Sequence, residues 1–395
     1  MDEPHNPQRR RALWPVFVAP ALVVLGAAAW SGFWFYASNQ VHAQFDLWRD
    51  REAKSGRVYE CGKLDVGGYP FRFEVTCDDA KIALRGQAAS QPLGEAHLER
   101  ILAVAQVYQP QLMIAEFTGP LTIADHGQPP SWAANWASAE ASVYGLATSP
   151  QRASLVLEAP SLDRVTGTAQ NTYARAKHLE LHGRLAEGSV SDHPVIDIAV
   201  DLTQASAAEA HPVAAEPFDL IAQGQIRGLH DFRPKPWPER FREIQASGGK
   251  LEITKSRIQQ GDLIAIAAGS LSINASGYLE GQLNMTVAGL SKIVPALGLD
   301  RLAAGESVPQ GTLDKIAPGV KSGDVDNVMG ALDRLVPGLG GLVRKQAPAL
   351  IAAGIANLGE KTVLEGKAAQ SFPLRFVDGA VFIGPLRFAQ TPALF

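Results

Sequence analysis

Cys61 and Cys77 are the only thiols in this chain of 395 residues, and they stand sixteen positions apart. That spacing is not the C-x-x-C of a redox centre. Residues 57–66 and 71–76 have strand-like patterns, and Gly67-Gly68-Tyr69-Pro70 between them is a turn cluster. The pair therefore brackets a hairpin, and in an oxidising compartment it is expected to close as a disulfide. Two buried free thiols, or redox or metal chemistry, are the alternatives.

Other groups could in principle do chemistry. His178 and His182 are four apart and would share a metal on a helix, but Leu179 and Leu181 alternate with them, so a strand with a solvated polar face is expected. Asp197 and Asp201 fit the same description. His193 and His211 each precede a proline and belong to loops. Asp324-Val325-Asp326-Asn327 begins like a calcium loop but has Met329 where the glycine is needed, so a helix N-cap is the better reading. Trp132, Trp136 and Tyr144 form an aromatic group that suits core packing, with a ligand platform as the alternative. Stacking on nucleic acid would need basic neighbours, and residues 118–151 contain no Lys or Arg. No nucleophile elbow, zinc helix, phosphate loop or dinucleotide fingerprint occurs. No catalytic residue, cofactor site or metal site is assigned, and a non-enzymatic protein is expected, with a hydrolase of dispersed site as the competing class.

The elements that would hold these groups follow from hydropathy. Arg9, Arg10 and Arg11 precede a block without Asp, Glu, Lys or Arg that runs through residues 12–45. Residues 12–37, with Trp14, Phe17, Leu22, Leu25, Trp30 and Trp34, are long enough to cross the roughly 30 Å of a hydrocarbon core. The arginines place residues 1–11 in the cytoplasm and send the remainder across the membrane. A signal peptide cut after Val41-His42-Ala43 is the alternative, but the apolar run is longer than such signals have.

A stalk is expected over residues 38–56 and a strand-rich region over 57–289, with Val195-Ile196-Asp197-Ile198-Ala199-Val200-Asp201-Leu202 the clearest alternation. Residues 239–245 follow a proline-rich connector and suit a short helix. Over residues 290–360 the period lengthens to three or four and prolines cut it into short helices expected to pack on the sheet. Residues 361–395 return to strands, with Asp378-Gly379 as a hairpin turn. The fold class is thus mainly β: a large curved antiparallel sheet, or an open β-roll, behind a transmembrane helix. The composition, 46% hydrophobic with a net charge of -4, fits an apolar core and excludes a general phosphate-binding surface.

Tyr69-Pro70-Phe71-Arg72-Phe73 near one end is echoed by Phe372-Pro373-Leu374-Arg375-Phe376 near the other, as if two strands opened from the same turn. The N-terminal anchor, the Gly68-to-Phe73 turn with its flanking cysteines, and the ending from Phe372 through Asp378-Gly379 to Gly384-Pro385-Leu386 resemble a family of alphaproteobacterial envelope proteins, domain of unknown function 2125. That family supplies no reaction. The single anchor and the apolar-alternating, glycine-punctuated run from Leu271 to Leu283 are also similar in style to AsmA-type envelope proteins, which implies a curved sheet whose apolar face could hold acyl chains. The partners expected are the inner membrane, lipid, or another envelope protein that the chain docks as a scaffold; nucleic acid is not among them.

Overall fold

The computed structural model describes residues 14–54, 56–85, 92–145, 150–189, 193–209, 212–231, 235–289, 359–383 and 386–395. The helices expected over residues 290–360, apart from 359 and 360, lie outside these, as do the Asp324 cluster and His211.

Helix α1, Trp14–Lys54, is unbroken over 41 residues and passes through Pro20. At 1.5 Å per residue it spans about 60 Å, roughly twice a hydrocarbon core. Its two halves have different surfaces. Phe17, Leu22 and Leu25 are each more than 60% exposed, whereas Trp34 is 4% exposed. From Trp34 onward Ser38, Val41, Phe45, Trp48 and Glu52 form a stripe of buried or half-buried residues at three- and four-residue steps, the spacing that keeps one helix face on a neighbour. That neighbour is the first hairpin, β1, Arg57–Gly67, and β2, Arg72–Arg85. Trp48 packs on Tyr59 at 4.6 Å, and Glu52 pairs with Arg57 at 2.6 Å.

Two long strands follow, β3, Pro92–Gln106, and β4, Gln109–Asp125. Shorter ones come next: β5, Trp132–Asn135, β6, Ser138–Tyr144, β7, Arg152–Glu158, β8, Ser161–Thr166, and β9, Ala169–Arg175. The chain continues through β10, His178–Leu185, β11, Ile196–Ala205, and β12, Phe218–Ile226. Helix α2, Trp237–Ala246, starts with Pro238 in its first turn, where a missing N–H costs nothing. Then come β13, Lys250–Gln260, β14, Leu263–Ile273, β15, Leu279–Ala288, β16, Glu360–Leu364, β17, Lys367–Val377, β18, Ala380–Ile383, and β19, Leu386–Gln390. All nineteen belong to one sheet, and every pairing between them is antiparallel.

The sheet is mostly a meander that forks at β4. One arm runs β6, β7, β10, β11; the other runs β5, β8, β9. A single bridge, Arg175 to Ser206, brings the arms' far ends together. Among the described strands the sheet stays open, and α1 lies along its first strand.

Within the first hairpin, Cys61 pairs in register with Ala80 and Cys77 with Leu64, so the cysteines sit on a diagonal. Between them Asp79 is left-handed (φ 54°), and Gly62 opposite has no room for a side chain, since an added Cβ would stand 2.9 Å from that of Asp79. This irregularity turns Cys77 and Ala80, three apart, to one side together with Cys61 and Leu64. The cysteines are joined as a disulfide with Cα atoms 5.4 Å apart. Replacing both with Ala is expected to lower stability by about 3 kcal/mol. Paired urea titrations check this, and coincident midpoints would contradict it.

Candidate functional site

Where the sheet forks, the inner faces of the two arms enclose an open groove of about 620 Å³, within the range of ligand pockets. Its floor comes from β2, β3 and β4 through Ala80, Leu98, Ile101, Phe117 and Leu121, and its walls from Leu155, Leu157, Leu162, Leu179 and Leu202. Leu98 and Ala80 are buried, but Ile101, Leu157, Leu179 and Leu202 are only half-buried. Apolar surface thus lines the groove without being covered by any described element.

Strand alternation builds the walls. On β7, Leu155 and Leu157 are two apart, and on β10 Leu179 pairs in register with Leu157. On β11 Leu202 pairs with Leu179, so three strands align one leucine row. Trp136, between β5 and β6, lies over Gly119 and donates its indole N–H to the Phe117 carbonyl at 2.8 Å, which fixes one end. The few polar groups of the lining have partners. Asn135 and Ser161 both donate to the Asp163 carboxylate, at 2.8 and 3.3 Å. Arg175 donates to the Ser206 hydroxyl at 3.3 Å. The groove can therefore take up an apolar chain by the hydrophobic effect, about 0.8 kcal/mol per methylene removed from water.

The polar candidates are elsewhere. His178, Glu180 and His182 lie on β10, and Leu179, between the first two, lines the groove. Glu180 bridges them, 2.8 Å from His178 Nε2 and 2.9 Å from His182 Nε2, and His178 Nδ1 meets Glu158 at 2.7 Å. The hydrogen bond that His178 donates to Glu180 raises His178 above its ordinary 6.5, and hydrogen bonds donated by His182, then His178, hold Glu180 below 4.5. A raised imidazole stabilises the fold fully below 6.5 and loses that contribution as pH rises through its folded value. A depressed carboxylate stabilises above 4.5 and loses it as pH falls through its folded value. The ladder is thus at full strength between those two pH values. Histidine NMR titration is expected to place the His178 midpoint above 6.5 and to return it toward 6.5 in Glu180→Gln; a wild-type midpoint at or below 6.5 would count against the ladder.

Asp197 meets Arg184 at 3.0 Å and Gln225 at 2.8 Å, and His193 stacks on His230. Among the described residues no group of three or more His, Cys, Asp or Glu is placed to hold a metal. Trp132, Trp136 and Tyr144 do not cluster: Trp132 packs on Tyr173 beneath Arg164, Trp136 closes the groove, and Tyr144 lies under Arg152.

The two echoed segments also go to different places. Gly68 has φ +95°, and Arg72 N bonds its carbonyl at 3.1 Å, closing the β1–β2 turn. That turn rests on α1: Trp34 donates to the Arg72 carbonyl at 3.0 Å, stacks on Phe73 at 5.7 Å and meets Tyr69 edge-on at 5.5 Å. Pro373 instead lies inside β17, six residues after the strand begins. It falls between Ser371, where pairing with β16 ends, and Leu374, where pairing with β18 begins, so no described strand on that side needs its missing N–H. Val377 and Ala380 pair across Asp378-Gly379, both left-handed, as a two-residue hairpin turn requires. Asp378 also accepts from Asn274 at 2.9 Å. No described pairing joins β2 to β17.

A family model matches residues 34–392, from the Trp34 that the hairpin buries to the tail beyond β19. The chain belongs to that family, described as an uncharacterized protein conserved in bacteria (DUF2125). The DUF2125 match covers the packed half of α1 and the whole described sheet, and it lends nothing to the AsmA likeness. A search of curated proteins finds no match to the chain.

Proposed function

We propose that this protein is a membrane-anchored lipid-binding module of the bacterial envelope. It crosses the inner membrane once, with the N-terminus in the cytoplasm and the sheet in the periplasm, and it holds acyl chains in the forked-sheet groove. The observation that carries this reading is the groove itself, about 620 Å³ of space between apolar strand faces, with polar lining groups already engaged. The anchor supports it, because α1 is long and apolar enough to cross a membrane and three arginines precede it. The disulfide supports it too, since such bonds persist in oxidising compartments. Native mass spectrometry of the full chain released from detergent is the test. One retained acyl-lipid mass per chain is expected, and a bare chain under conditions that preserve the disulfide would rule the reading out.

A further inference from the structure

Resting on the anchor reading above, the geometry points to a second membrane contact: the tips of the β1–β2 and β3–β4 hairpins sit in the bilayer interface as an aromatic foot. The two tips are joined, Val107 N donating to the Phe71 carbonyl at 3.0 Å. The first is strapped to α1 by three hydrogen bonds: Trp30 Nε1 to the Pro70 carbonyl at 2.9 Å, Ser31 with the Tyr69 hydroxyl at 2.8 Å, and Trp34 Nε1 to the Arg72 carbonyl at 3.0 Å. These straps fix the height of the tips along the helix. Trp14 to Trp34 is about 30 Å of helix, the depth of a hydrocarbon core, so the straps lie where the helix leaves it.

What the tips present at that level is aromatic and open. Tyr69 is 51% exposed, Phe71 62% and Tyr108, on the second tip, 74%, beside Phe33 and Tyr36 of the helix at 51% and 66%. Rings with an apolar body and a polar edge are favoured at the lipid headgroup level. Just above them the chemistry changes, with Arg72 paired to Glu74 at 2.6 Å. The patch continues the anchor's own exposed apolar surface, so its occupant is the same bilayer. The foot would fix the sheet's tilt, where a helix alone would let it swing.

The test places single nitroxide probes on Phe71→Cys, Tyr108→Cys, Leu25→Cys and Lys63→Cys variants of the full chain with its disulfide intact. The protein is reconstituted in phosphatidylcholine–phosphatidylglycerol vesicles, and collision with oxygen is compared with collision with a water-soluble nickel chelate. The Leu25 probe is expected in the hydrocarbon and the Lys63 probe in water. Probes at 71 and 108 are expected to give an oxygen-to-nickel ratio several-fold above that at 63. Ratios at 71 and 108 equal to that at 63, with Leu25 still in the hydrocarbon, would overturn the foot and leave the anchor standing. A water-exposed Leu25 probe would overturn both. Probes at 71 and 108 shielded from both reagents would overturn the foot in favour of a protein contact.

Discussion

On the proposed reading of the groove, a Leu157→Glu chain is expected to retain at least ten-fold less acyl lipid than the parent while its sheet and disulfide persist. Leu157 stands at the β7 end of the leucine row, two residues from Leu155 on its own strand and opposite Leu179 across the ladder, and it is only half-buried, so a longer polar side chain has room to turn into the groove. A carboxylate there meets no described cation in the leucine row. Either it ionises in an apolar lining or it draws in water, and both oppose an acyl chain. A ten-fold loss corresponds to about 1.4 kcal/mol, well below the cost of holding an ionised carboxylate against hydrocarbon. Leu157→Met keeps the volume and apolarity and is expected to bind as the parent does. Lipid occupancy by native mass spectrometry, with circular dichroism as the folding control, checks both. Equal occupancy in Leu157→Glu would place the lipid elsewhere.

Trp34→Ala is expected to lower stability by on the order of 3 kcal/mol. This side chain is 4% exposed, stacks on Phe73 and holds the Arg72 carbonyl. Its removal leaves a cavity between α1 and the first hairpin and frees a backbone acceptor. Trp34→Phe keeps an aromatic face for Phe73 and gives up the hydrogen bond, so a smaller loss, about 1 kcal/mol, is expected. Denaturant titration in detergent measures both. A Trp34→Ala protein as stable as the parent would mean that the turn rests on α1 without depending on it.

The behaviour of Trp34 shows what hydropathy conveys and what it omits. Composition assigns residues 12–37 to a membrane because they carry no charge, but it does not separate a ring facing lipid from one facing protein. Phe17 and Leu25 face outward and Trp34 inward, a distinction made only once the hairpin folds back. The alternation of β11 is legible because one of its faces carries Asp197 and Asp201. Strands β3 and β4 are harder to read: Asp79 breaks the alternation on β2 beside them, and the β3–β4 register shifts between Leu98 and Arg100, so a strict two-residue repeat does not run their length. Cys61 and Cys77 are readable as a hairpin pair because strand-like runs flank the Gly67-to-Pro70 turn cluster between them. The groove is not, because its leucine row comes from β7, β10 and β11 and its floor from β2 to β4, and sequence periodicity describes each strand's faces without saying which faces will be opposed. The echo of Pro70 and Pro373 failed as a guide for a related reason. A proline marks a position whose N–H is not needed, and both a turn and the gap between two partner strands satisfy that.

The most direct measurement uses a phospholipid with a photoactivatable acyl chain, incorporated beside the full protein in vesicles and cross-linked in place, with the adducts mapped by peptide mass spectrometry. Adducts are expected on the groove strands, in peptides containing Leu98 to Phe117 and Leu155 to Leu179, in addition to those on the apolar half of α1. Adducts confined to α1 and the hairpin tips, with the groove peptides unlabelled, would contradict a lipid-holding sheet.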